Sequence, residues 1–257
     1  RSYFHELGKY EQKYKNKVIL FWQCGSFLEV YGKKKDGQIY GSDILEFSRI
    51  CDMTVANKKK CVSDKEGVVM AGFSPVTRLD KYIIKMNEEG YTVAVWLERE
   101  DDHTDRYEHG VFSPGTFFNI EKKGISNNIM CLWIDILESN ILTKKSLIIC
   151  GMSVIDIFTG KVNMFEYSED FFHNPTTFDE IERFHSIYMP NETIIIHSSY
   201  EKIDDVIAFS GIDSKSIHVY EADQYKQFEK QIYQKDLLKR FYKFRDYDSF
   251  YDSLPFK

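Results

Sequence analysis

Cys24-Gly25-Ser26-Phe27-Leu28-Glu29-Val30-Tyr31, written CGSFLEVY, places a large apolar ring and a carboxylate two residues apart, just after a Gly-Ser turn. The apolar run VILFWQ before it reads as a strand, so the turn predicts a hairpin whose second strand begins at Phe27. Strand alternation then sets Phe27 and Glu29 on one face and Leu28 and Val30 on the other. Leu28 and Val30 fill the core. Taken alone, F-x-E describes a core phenylalanine and a surface carboxylate; a Phe beside a turn, on a face it shares with a charge, is instead free to reach a partner.

Around this hairpin the first half reads as a mixed α/β unit. An amphipathic helix over 3–15 (Phe4, Leu7, Tyr10 and Tyr14 on one face) precedes it, and a DGQIYG turn and a helix SDILEFSRI follow. Next come a basic loop NKKKCVSDKEG, a strand VVMAG, a helix PVTRLDKYIIKMNEE ended by Gly90, and strands YTVAVWLE and HGVFS. The Ser113-Pro114-Gly115-Thr116 turn closes the unit at about residue 118, and the polar stretch 119–128 reads as a linker. Residues 129–257 open with three strands, IMCLWIDIL, SLIICGMSVIDIF and VNMFEYSE. They then alternate helix and strand, ending in one C-terminal helix, ADQYKQFEKQIYQKDLLKRF. Three antiparallel strands followed by alternating helix and strand is the order of a ribonuclease-H-like domain.

Composition narrows the function classes. With 43% hydrophobic and 16% aromatic residues the chain is a folded protein, and 257 residues suit two domains. No run approaches the ~20 apolar residues of a membrane span. Five cysteines at wide spacing, without a C-x-x-C pair, predict reduced thiols inside a cell and no zinc cluster. His103 and His109 share an acidic stretch, and we expect no metal there. The net charge of −6 belongs to the second half, because residues 1–118 balance 18 Lys/Arg against 18 Asp/Glu. Lysines cluster at Lys13, Lys15 and Lys17, at Lys33–Lys35 and at Lys58–Lys60, a pattern of local phosphate contact rather than of a strongly basic nucleic-acid domain.

The order of motifs resembles the N-terminal part of the MutS family of DNA mismatch-recognition proteins. Gly25-Ser26-Phe27-Leu28-Glu29 stands for the family's G-x-F-[YF]-E, Met70-Ala71-Gly72-Phe73 for its M-A-G-[VF], YTVAVWLE for its V-A-[IV]-x-x-Q strand, and Ser113-Pro114-Gly115-Thr116 for its T-P-G-T. GMSVIDIFTGKVNMFE and YMPNETIII resemble its connector domain. The resemblance spans essentially the whole chain. It implies a mixed-sheet mismatch-binding domain followed by a ribonuclease-H-like connector, with Phe27 wedged into the minor groove on a mispaired base and Glu29 hydrogen-bonded to that base. Phosphate contacts would come from Lys33, Lys34, Lys35, Lys58, Lys59, Lys60 and Arg78. The implied partner is double-stranded DNA carrying mismatches or small loops; further protein partners would dock on the connector, and the parent protein would be an intracellular dimer.

The chain also departs from the family pattern. Leu28 replaces an aromatic, Leu97-Glu98 stands where Glu-Gln is usual, and the basic residues before T-P-G-T thin to Arg106 and His109. No G-x-x-x-x-G-K-[ST] and no long heptad run occurs, so the chain itself is expected to be no enzyme and to need no cofactor. ATP and magnesium belong to an ATPase half expected in a longer parent. Two other readings compete: a metal-dependent nuclease using Asp135 and Asp156 on strands of the second half, and a protein-interaction module built on that acidic half.

Overall fold

The computed structural model describes residues 2–14, 17–58, 66–117, 126–137, 146–198, 202–241 and 247–253. Two mixed sheets organise the chain, one on each side of residue 118. The first has seven strands in the order β4-β5-β2-β1-β6-β7, with β3 added to β2. β1 (Val18–Cys24) lies at its centre, antiparallel to β2 (Phe27–Lys35) and parallel to β6 (Thr92–Glu98). Its unbroken apolar run follows from that place, because both faces of the strand are covered. Ile19 and Phe21 pack with α2 (Ile44–Cys51) and α3 (Leu79–Glu88), while Val18, Leu20 and Trp22 meet Tyr3, Leu7 and Tyr10 of α1 (Tyr3–Tyr14). On α1 the expected apolar stripe is rotated slightly, with Tyr3, Leu7 and Tyr10 buried and Phe4 and Tyr14 half-buried. Glu6 is buried there and takes both of its ion-pair contacts from Lys9.

Two short strands had no legible pattern. β3 (Gln38–Tyr40) and β4 (Ala56–Asn57) exist because β2 and β5 (Glu66–Phe73) offer them hydrogen-bonding edges, which alternation within three or two residues cannot announce. β7 (Arg106–Phe112) closes the other edge against β6.

In the second sheet the order is β10-β9-β8-β11-β12. β8 (Asn128–Leu137), β9 (Leu147–Asp156) and β10 (Val162–Asp170) are antiparallel, whereas β11 (Glu192–His197) and β12 (Ser216–Glu221) run parallel to β8. α4 (Asp179–Tyr188) and α5 (Ile203–Phe209) bury Ile181, Phe184 and Val206 on one face of it. The expected C-terminal helix is broken. Residues 222–229 are a 3-10 segment, Lys230 is extended, and α6 (Gln231–Phe241) and α7 (Tyr247–Asp252) follow. Tyr225 leaves helical geometry, and its ring meets that of Tyr220, five residues earlier, at 5.3 Å. Among the described residues no helix is long and apolar enough to cross a membrane.

The fold overturns the nuclease reading. Asp135 pairs with Ile149 and Asp156 with Asn128, at opposite ends of the β8–β9 ladder. Seven residues of β8 separate the two positions, roughly 23 Å of strand, and the odd offset turns them to opposite faces, whereas paired catalytic metals sit ~4 Å apart. Asp156 is a turn residue. It accepts from the Asn127 and Phe158 N–H groups at 3.0 and 3.1 Å and from Thr159 Oγ1 at 2.8 Å, and these bonds, Asn127 first, hold its carboxyl below the usual range.

Candidate nucleic-acid interface

Gly25 and Ser26 connect β1 to β2 in a two-residue hairpin, with Gly25 at φ +61°, where a side chain would be strained. Cys24 pairs with Phe27 across the turn, so Phe27 is the first residue of β2 and stands at its tip. Its ring is 47% exposed, while Leu28 and Val30 on the opposite face are fully buried. A large ring left in water at a hairpin tip contributes little to the fold, which frees it for contact.

Glu29 shares the side of Phe27 but not its exposure. Only 6% of it is accessible, so the polar face expected beside Phe27 is in fact a covered one, continuous with Trp22, Tyr31 and α1. The carboxylate is satisfied there. Lys58, arriving from the end of β4, donates to Oε2 at 2.6 Å, and the Tyr31 hydroxyl donates to the same oxygen. Lys58 also lies 4.0 Å from the Tyr31 ring centroid and hydrogen-bonds its hydroxyl. Burial, then Glu29, pushes the Tyr31 phenol far above the ordinary tyrosine range. Space for the Glu29 side chain comes from Gly72, directly opposite on β5. A Cβ at Gly72 would stand 2.5 Å from the Leu28 carbonyl and 3.2 Å from Glu29 Cγ, which gives the glycine of Met70-Ala71-Gly72-Phe73 its physical reason.

The turn itself is clamped from β6 and β7. The Gly25 N–H donates to Glu98 Oε1 at 3.1 Å, the Glu98 N–H to Gln23 Oε1 at 2.9 Å, and Gln23 Nε2 to the Gly25 carbonyl at 2.8 Å. Arg106 completes the ring. It donates to Glu98 Oε1 at 2.8 Å and to the Gln23 carbonyl at 2.7 Å, its guanidinium 5.2 Å from the Trp22 ring centroid. Sequence reading picked out neither Glu98 nor Arg106 as a site residue. The only signals were that Glu98 departs from the family pattern and that Arg106 survives in a thinned basic stretch.

The basic residues expected on phosphates are dispersed. Lys33, Lys34 and Lys35 occupy the far end of β2, six to eight positions and roughly 20–27 Å from Phe27, with Lys33 over the Phe4 ring at 4.7 Å. Arg78 is exposed just past the end of β5, whose Phe73 pairs with Leu28, and so belongs to the Phe27 end of the sheet. Lys59 and Lys60 lie outside the described residues. Of the described ones, only Lys58 is brought into the Phe27–Glu29 cluster.

Residues 3–121, which contain every residue of this cluster, match the family model of MutS domain I. The chain belongs to the MutS family. A DNA mismatch repair mutS homolog of Acanthamoeba polyphaga mimivirus is 26% identical over 238 residues, covering 90% of this chain and 20% of the relative. The DNA mismatch repair proteins MutS of Thermodesulfovibrio yellowstonii and Halothermothrix orenii are 30% and 29% identical over 196 and 191 residues, covering 74% and 72% of this chain. This MutS-family chain spans about a fifth of the length of these curated relatives. In its domain I the hairpin tip, the covered Glu29 and the Glu98–Arg106 clamp form one continuous end of the sheet.

Proposed function

We propose that this chain recognises mispaired bases or small loops in duplex DNA, with Phe27 inserted from the minor groove and Glu29 hydrogen-bonded to the base on which the ring stacks. The observation that carries this reading is the pairing of an exposed ring with a covered, oriented carboxylate two residues further along one strand. Unstacking a matched step costs a few kcal/mol, and a mismatch has already lost part of that stacking, so an intruding ring selects the weak step. Stacking tolerates any base, which suits a detector of many mispairs. Phosphate contact by Arg78, by Lys33–Lys35 and by Lys59 and Lys60 belongs to the same reading, with sparse positive charge predicting weak binding by this chain alone.

The sheet order β10-β9-β8-β11-β12 supports assigning residues 129–257 to a ribonuclease-H-like connector without catalytic work, and residues 1–118 to the mismatch-binding domain. ATP hydrolysis with magnesium, dimerisation, protein partners on the acidic connector and an intracellular setting belong, in this reading, to the longer parent.

Fluorescence anisotropy with labelled duplexes at one salt concentration tests the proposal. Wild-type protein should prefer a duplex with one mispair or one unpaired nucleotide over the matched duplex, and Phe27→Ala should abolish the preference. Equal affinity of the wild-type protein for both duplexes would refute it.

A further inference from the structure

Lys58 was expected on a phosphate, yet its ammonium is committed to Glu29. Both donors to that carboxylate, Lys58 Nζ at 2.6 Å and the Tyr31 hydroxyl, converge on Oε2. Oε1 accepts no hydrogen bond from the described residues, so one carboxylate oxygen is fixed by two donors and the other by none of them. Lys58 itself is held at two points, its backbone N–H donating to the Val68 carbonyl at 2.9 Å and its ammonium lying 4.0 Å from the Tyr31 ring centroid, while one-third of its side chain remains exposed.

A covered carboxylate brought against a polyanion is penalised twice, by lost hydration and by repulsion from phosphates, unless a cation travels with it. We propose that Lys58 is the positioning residue that makes Glu29 usable at a mispair: it neutralises the carboxylate, pins Oε2, and leaves Oε1 to accept from a base. The inference rests on the mismatch reading above. It assigns Lys58 a part in discrimination, where a phosphate contact would serve every duplex alike.

The test is a double-mutant cycle on the full chain, with Lys58→Met, Glu29→Gln and the pair, titrated against one-mispair and matched duplexes at several salt concentrations. Lys58→Met should lower affinity for the mispaired duplex about tenfold more than for the matched one, and adding Glu29→Gln should return it to the level of Glu29→Gln alone. Lys58→Arg, which keeps the charge, should hold the ratio of affinities within about twofold of wild type. Thermal melting without DNA should show the same coupling, with Glu29→Gln removing most of the stability lost in Lys58→Met. Additive effects in the cycle, or equal loss on both duplexes with a salt slope flatter by about one, would make Lys58 an ordinary phosphate contact and overturn the inference. Loss of the ratio in Lys58→Arg as large as in Lys58→Met would overturn it as well. A wild-type protein without any mismatch preference would instead remove the mismatch reading itself, a result distinct from either.

Discussion

Ser113 and Glu192, 79 positions apart, share a buried hydrogen bond of 2.6 Å that joins the two sheets. Ser113 opens the turn that closes the first unit, and Glu192 is the first residue of β11 in the second. The Gly115 N–H donates to the same Glu192 oxygen at 2.9 Å, and His218 Nε2 lies 2.6 Å from the other. Gly115 is needed for this approach, since a Cβ there would stand 2.5 Å from the carboxylate. Asn127 adds a second stitch. Counted in the expected linker, it is buried, donates to the Gly115 carbonyl at 3.0 Å and accepts from Asn191 at 2.7 Å.

Glu192→Gln should therefore destabilise the protein in a pH-dependent way. Burial raises the Glu192 carboxyl, but its bonds from His218, Ser113 and Gly115 outweigh burial and hold it below the usual range. A lowered folded value means that the stabilisation is complete above the unfolded glutamate value of about 4.3 and disappears as pH falls through the folded one. The gap in melting temperature between wild type and Glu192→Gln should accordingly be widest near pH 7 and narrow below about pH 4. A gap that stays constant down to pH 3 would show that the carboxylate is not held in this way.

Phe27 and Phe21 offer a controlled contrast, one ring exposed at the hairpin tip and one fully buried in the core. Phe21→Ala should cost about 3–5 kcal/mol in urea unfolding, and Phe27→Ala less than about 1 kcal/mol. A large loss in Phe27→Ala would mean that the ring belongs to the core.

Gly72→Ala should be among the most damaging of small substitutions in the first unit. Its Cβ would meet backbone at the Leu28 carbonyl, which cannot rotate away, so β2 and β5 must separate where Glu29 sits. We expect a loss of about 2 kcal/mol or more by chemical denaturation, together with a weaker mismatch preference. Stability within about 0.5 kcal/mol of wild type would show that the strands can part at no cost.

Arg106→Met should leave the Glu98 carboxylate uncompensated in a site where both side chains are largely covered, at a cost of about 3 kcal/mol. Glu98→Gln keeps an acceptor for the Gly25 N–H and should be milder, with most of the mismatch preference retained. Equal damage from the two variants in urea unfolding would argue against a charge-based clamp on the turn.

The positions of most long elements were legible because hydrophobic period reports them directly. VILFWQ and YTVAVWLE are strands with covered faces, SLIICGMSVIDIF holds a strand with one covered face, and α1 to α5 fall where the periodicity sets them, α3 stopping just before Gly90. The side of β2 on which Phe27 falls was readable by alternation, and its exposure only from its place directly beside the Gly-Ser turn. The burial of Glu29 was not readable. Alternation specifies a face, and whether that face is open depends on what the rest of the chain lays over it.

What the sequence by itself determined is thus local: the hairpin at its Gly-Ser turn, the side of β2 on which Phe27 and Glu29 fall, and the order of motifs that marks the family. What only the tertiary structure decided is which distant groups meet. Lys58 reaches Glu29 across 29 positions because β4 pairs with β5 and β5 with β2, and Arg106 reaches Gln23 across 83 because β7 and β1 flank the same strand. The physical reason is that a charge or a hydrogen-bond donor carries no periodic signature of its partner. Side-chain period tells a residue which way to face, whereas sheet order and register, set by the packing of the whole core, choose the group it faces.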